Sequence, residues 1–210
     1  MRSKIFNTDR VRAIQDGRMT QFMQVVKPEP SPMATMFSNQ PEKRPKKPWT
    51  AWFEIQRVEG VQYYEITNDY SCPFGKVGDV IYCREKWNFI YGIIDTEWEP
   101  IGYYHSTDGD INKKWKSPAT MPRDAARLFL RITNIRVMRA QELTNKDAKA
   151  HGVIIDHYGG FGRSGEEWRN YQNKSTPCRN AIESLKTLLG NIWGANQWHW
   201  IIDFEKTDKP

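Results

Sequence analysis

Residues Arg127 to Ala140 read RLFLRITNIRVMRA. Leu128, Leu130 and Ile132 share one parity, and beyond Thr133 and Asn134 the apolar positions Ile135 and Val137 share the other. Alternation with period two places successive side chains on opposite faces of a sheet, so the stretch predicts a half-buried strand. A change of parity inside a strand turns its apolar side chains to the wrong face unless the chain absorbs an extra residue. Two strand segments joined by a bulge or bend at Thr133 and Asn134 are therefore expected.

Working outward from that strand, VIYCR (Val80 to Arg84) has the branched and aromatic residues of another, reached through a turn at Pro73 to Gly78. TAWFEIQRV and VQYYEIT, separated by Glu59 and Gly60, read as a hairpin, and WHWIIDFEK (Trp198 to Lys206) as a strand. Asn88 to Trp115 mixes aromatics with Gly, Asp and His and predicts a variable hairpin or long loop outside the core. Three short helices fit between the strands. TDRVRAIQDG has Thr8 or Asp9 as cap, Val11 and Ile14 on one face and Gly17 as stop. LTNKDAKAHGV has Thr144 as cap, Asp147 three residues on, His151 in the last turn and Gly152 at the end. The third starts at Thr176 and Pro177 and carries Ile182, Leu185, Leu188, Leu189 and Ile192 at helical spacing. Strands that mostly follow one another predict an α+β fold, a small mixed β-barrel with about three short helices and long loop insertions.

At 210 residues, one domain over residues 1–210 is expected. Six of the twelve prolines fall between Lys27 and Pro48, so residues 28–48 predict a loop without regular structure, made basic by Lys43, Arg44, Lys46 and Lys47. Residues 158–176 predict a second insertion, with four glycines between Gly159 and Gly165 but no Lys-Ser/Thr pair to make a phosphate loop. No apolar run approaches the roughly 20 residues of a spanning helix, and the first residues lack the apolar core of a signal peptide. No membrane and a cytoplasmic location are the expectation. Three widely spaced cysteines, Cys72, Cys83 and Cys178, with no C-x-x-C pair, and histidines His105, His157 and His199 without ligand spacing, predict no metal and no cofactor. A net charge of +6 favours a phosphate-bearing partner or simply solubility.

Together the motifs resemble the ASCH branch of the PUA-like superfamily, most of all its phage and prophage members. In those relatives a helix ends in a G-R-K-T-x-T-x-R turn followed by V-V-K-P. The matching residues are Gly17, Arg18, Met19, Thr20, Gln21, Phe22, Met23 and Gln24, then Val25 to Pro28. A C-P-Y-G-x-x-G-D, strand, R-E-x-W block resembles Cys72 to Gly75, Gly78-Asp79, Arg84-Glu85 and Trp87, and a W-x-P-x-x-M-P-R block resembles Trp115, Pro118 and Met121 to Arg123. For members that act as amidohydrolases on an acylated cytidine, the resemblance implies a threonine nucleophile, a lysine that activates it and a glutamate that moves protons. Those roles fall on Phe22, Met19 and His151. Phenylalanine has no nucleophilic atom and methionine carries no proton, so that chemistry is not expected.

What the resemblance leaves is binding: nucleic acid, RNA or a single strand, with a modified or unpaired base beside the Gly17 to Gln24 turn. Arg18, Met19, Thr20, Phe22, Glu85, Trp87 and His151 are its candidate ligand contacts, with Trp98 and Trp115 as further stacking surfaces. Lys27 and the Lys43 to Lys47 run are the candidate phosphate contacts. Two other readings stay open. One is an amidohydrolase or nuclease with a rearranged set, Thr20, His151 and Glu85; the other is a factor that binds a protein of a bacterial host. Met19 and Phe22 as plain core, His151 as a plain helix-end residue, and Arg84 with Glu85 as a structural ion pair are the structural alternatives at the same positions.

Overall fold

The computed structural model describes residues 1–39, 48–57, 60–109, 114–155, 167–173 and 175–210, with backbone alone for 53–57 and 66–69. In chain order the elements are β1 (Arg2–Ile5), α1 (Thr8–Gln15), β2 (Gln21–Val25), β3 (Met36–Asn39), β4 (Trp49–Arg57), β5 (Gly60–Tyr70), β6 (Val80–Arg84), β7 (Trp87–Ile94), β8 (Glu97–His105), β9 (Phe129–Arg139), α2 (Asn145–Ala150), α3 (Ala181–Leu189), α4 (Asn191–Ala195) and β10 (Trp198–Thr207). The fold is α+β and mostly strand. Five strands form one sheet in the order β1-β6-β9-β10-β2, three form a second in the order β3-β4-β5, and β7 and β8 form a two-stranded third.

β9 lies at the centre of the large sheet, between β6 and β10. Its parity change has the expected cause: Asp203 pairs with Asn134 and Phe204 with Ile132, so Thr133 is the extra residue of a bulge. The bulge keeps Ile132 and Ile135 both buried. One face of the sheet holds Phe22, Ile202 and Ile135 in register, and packs with Phe6, Val11 and Ile14 around α1 and with Tyr70 from the smaller sheet. On the opposite face Ile201 packs with Ala148 of α2 and Leu185 and Leu189 of α3. Each fully buried side chain of this size contributes about 1.5–3 kcal/mol.

Several local expectations are corrected. α1 is capped by Asn7, whose side chain accepts from the Arg10 N–H; Thr8 instead shares a hydrogen bond with Ser106, 2.8 Å away. α2 carries the reciprocal Thr144–Asp147 capping box expected of it. The third helix starts at Ala181, because Cys178 exchanges two backbone hydrogen bonds with Trp168 and is held extended, so Asn180 becomes the cap. It also stops at Gly190 (φ 52), which puts Ile192 on a separate α4, so the helices number four among the described residues. The proline-rich segment holds β3, which four backbone partners on β4 make possible.

The sheets do not close into a barrel. β1 and β2 form the two edges of the large sheet, and side chains span the gap between them: Lys4 donates to Gln24 Oε1 at 2.7 Å and lies 5.5 Å from the centre of the Phe22 ring. The β7–β8 hairpin is also more than a surface loop. Trp87, Phe89 and Tyr103 at its root pack with Met121, Ala125 and Phe129 in a third cluster. No helix among the described residues is long and apolar enough to cross a membrane.

Candidate functional site

The turn after α1 is pinned on three sides. Met19 N–H donates to Ala13, Thr20 N–H donates to Ala150 at the end of α2, and Thr20 C=O accepts from Phe204 on β10, each at 2.9 Å. Met19 and His151 form an isolated β-bridge. The backbone therefore brings together two of the three positions that the resemblance marks as catalytic, with Phe22 next in line on β2. All three are sealed: Met19 is 1% exposed, Phe22 0% and His151 4%. The Phe22 ring meets Phe6 and Phe74 edge-on, at 5.7 and 5.1 Å, and Phe204 at 5.8 Å. Packing there leaves little slack, since a Cβ added at Gly152 (φ +78) would stand 3.0 Å from the Met19 Cβ.

His151 Nδ1 lies 3.0 Å from the Asp147 carbonyl, so Nδ1 carries the proton and Nε2 a lone pair. Burial is the main reason its pKa is pushed down to about 4, with the Arg10 charge in the same direction and Asp147 and Asp203 opposing. It is neutral at pH 7. Thr20 and Arg18 are exposed, and Arg18 pairs with Asp16 at 3.0 Å.

Beneath Thr20 runs a polar row that the sequence did not signal. Gln21, Asp203 and Asn134 stand opposite one another on β2, β10 and β9. Gln21 Nε2 donates to Asp203 at 2.5 Å and to Asp147 at 3.2 Å, Asn134 donates to Asp203 at 2.9 Å, and Arg136 donates to Asp147 at 2.7 Å. Burial opposes the charge on Asp147, yet hydrogen bonds from Thr144, Arg136 and Gln21 hold its carboxyl well below the usual carboxylate range. Gln21 Oε1, Arg136 Nε and His151 Nε2 are buried without a hydrogen-bond partner among the described residues.

Glu85 belongs elsewhere. It is 1% exposed and takes two hydrogen bonds from Arg127, at 3.0 and 3.2 Å, with a longer one from Thr107. Arg127 also donates to Asp108 at 2.5 Å, and Asp108 lies 3.5 Å from His105. The ion pair expected between Arg84 and Glu85 is thus made by Arg127, while Arg84 donates to the carbonyls of Ala119 and Met121. Nothing in RLFLRI singles out Arg127 as a partner of Glu85, because the two meet only through folding. Among the described residues Glu85 and His151 share no hydrogen-bond partner. Trp87 is buried, donating to Ser117 C=O at 3.2 Å under the Lys116 ammonium, whereas Trp98 is 70% exposed far along the hairpin. Lys27 is exposed. Lys43, Arg44, Lys46, Lys47, His157 and the Gly159 to Gly165 loop lie outside the described residues.

Two cavities lie away from the turn. The larger, about 520 Å³, is bordered by Arg2, Asn39, Trp49, Lys76, Asp79 and Asn134 among others. It opens where the Cys72 to Asp79 turn faces the smaller sheet; burial raises the pKa of the Cys72 thiol, which leaves it a poor nucleophile. The second, about 440 Å³, lies beside Trp198, whose ring carries the Arg139 guanidinium at 4.6 Å. No group of three or more His, Cys, Asp or Glu among the described residues could hold a metal ion. The chain matches no model of a known protein family, no curated protein and no solved structure.

Proposed function

We propose that the protein is a nucleic-acid-binding module on the ASCH plan of the PUA-like fold, its large sheet a barrel left open between β1 and β2, without the hydrolase chemistry of its catalytic relatives. Two features support the non-catalytic half: the nucleophile and activator positions are apolar, and both side chains are packed shut. A covalent route needs a nucleophile and a group to activate it, and neither Phe22 nor Met19 supplies one.

The observation that carries the binding half is the cavity beside Trp49. Its volume falls in the range of small-ligand sites, about 300–1,000 Å³. Arg2 and Lys76 are exposed at its mouth, suited to phosphate. Asn39 belongs to its wall and has an amide group of the kind that reads a base edge, whereas the Asn134 side-chain nitrogen is already given to Asp203. In sequence, the run Lys43 to Lys47 falls between Asn39 and Pro48, which both border the cavity. We therefore assign the base to this cavity and not to the turn, where Met19 and Phe22 leave no room.

A titration against single-stranded and duplex RNA and DNA, followed by tryptophan fluorescence at rising salt, tests the reading. Binding should weaken steeply with salt, and Arg2→Ala with Lys76→Ala should flatten the slope by about two charges. Absence of binding at low salt to every strand tried would end this reading.

A further inference from the structure

The larger cavity carries a charge that phosphate contacts alone do not explain. Arg2 and Lys76 border it, and so does Asp79, the one acid among the described residues of its wall. A carboxylate beside a phosphate-binding mouth opposes phosphate, and in a chain of net +6 its simplest role is to pair with a neighbouring cation. Asp79 does not. Among the described residues it makes no ion pair with Arg2 or Lys76, and its one side-chain hydrogen bond comes from the Lys76 backbone N–H to Oδ2, at 3.0 Å. Arg2 donates instead to the Cys72 carbonyl, at 3.3 Å.

The carboxylate is also held in place. Gly78 N–H donates to Ile132 and Ile132 N–H donates to Asp79, at 2.8 and 2.9 Å, which ties the end of the Cys72 to Asp79 turn to β9. Oδ2 lies so close over Gly75 (φ +120) that a Cβ there would stand 2.1 Å from it. Asp79 is thus half-buried and fixed, with one lone pair left on Oδ2 and both on Oδ1. A fixed pair of acceptors without protein donors suits a ligand that brings two donors of its own.

Among the bases, guanine alone does so on its Watson–Crick edge, where N1–H and N2–H stand side by side. Uracil and thymine offer one N–H between two carbonyls, which a carboxylate repels, and adenine and cytosine set one amine beside a ring acceptor. Guanine O6 then needs a donor, and the exposed Asn39 amide on the same wall has one. Trp49 supplies aromatic surface for the base face. We infer, on the nucleic-acid reading of this cavity, that it selects an unpaired guanine, with the Asp79 carboxylate as the specificity-determining group that accepts from N1–H and N2–H. A free guanine nucleotide presents the same edge and a phosphate, so GMP separates that source from a strand.

Short oligouridylates with a central G, inosine, A, C or U, and GMP alone, are titrated at low salt with tryptophan fluorescence as the signal. The G strand should bind about tenfold or more tighter than the all-U strand, with inosine, which lacks the N2 amine, between them. Asp79→Asn keeps the size of the side chain and an oxygen for the Lys76 N–H but loses an acceptor. It should abolish the G preference with circular dichroism unchanged. Because it also removes a negative charge near the phosphate contacts, it should bind the all-U strand more tightly than the parent does. A purely structural role for Asp79 would not weaken one strand while strengthening the other. Base-blind binding that is sensitive to salt, or a G preference that survives Asp79→Asn, overturns the inference and leaves the nucleic-acid reading standing. GMP binding that Asp79→Asn abolishes, with no strand bound, supports the role of the carboxylate and ends the nucleic-acid reading. Binding of neither strand nor GMP overturns both.

Discussion

Met19 and Phe22 are structural residues, standing at the positions that the proposed ASCH reading marks for reactive groups. Their burial makes reactive replacements costly. Met19→Lys would place an ammonium where the side chain is 1% exposed, at a cost of several kcal/mol; Phe22→Ala would remove a ring held by three others, at about 3–5 kcal/mol. Both variants should show lower urea midpoints, and Met19→Lys with Phe22→Thr should gain no hydrolase activity. An unchanged midpoint in Met19→Lys would mean that the turn opens to water. His151 gives the fold a pH dependence of definite sign. Its folded pKa of about 4 lies below the unfolded value of 6.5, so between those values the unfolded chain binds the extra proton. Stability is therefore complete above pH 6.5 and declines as pH falls toward 4. Between pH 7 and pH 5 the loss is about 2 kcal/mol, and His151→Gln should flatten that part of the urea-midpoint profile. His199, also lowered by burial, contributes in the same direction.

Between elements, contact is made less by pattern than by partners distant in sequence, and this decides what the sequence could reveal. The bulge at Thr133 and the Thr144–Asp147 box were legible because each is written in neighbouring residues: a parity change and a pair three apart. The start of α3 was not, since the Trp168 backbone that holds Cys178 extended lies ten residues upstream. β3 was hidden for the same reason, because a proline-rich segment becomes a strand only where β4 offers it a ladder. The meeting of Met19 and His151 was not legible, since the two lie far apart in sequence and come together only through an isolated bridge. The Gln21–Asp203–Asn134 row and the Arg127–Glu85 pair were not, since three strands and a loop had to be placed first. That pair links the β6–β7 connection to the start of β9. Arg127→Leu should cost about 3–5 kcal/mol, because it strands a carboxylate that is 1% exposed. Adding Glu85→Gln should recover part of the loss in a double-mutant cycle; full additivity of the two would mean that the pair contributes no coupling.

Across the whole molecule, charge is segregated: Arg2 and Lys76 border the larger cavity, whereas Asp95, Glu97 and Glu99 lie on the β7–β8 hairpin, which belongs to a different sheet. The order of strands carries a further consequence, in time. Among the described residues β2 has its backbone ladder on β10, and Gln21 reaches Asp203 across 182 residues of chain. On a ribosome adding roughly 5–20 residues per second, that interval lasts about 10–40 s. Throughout it Met19, Phe22 and Met23 have been made but have no strand to lie against, and loop closure over such a distance slows the final pairing further. The apolar side chains of β2 thus wait, in every newly made molecule, for β10 to pair with them.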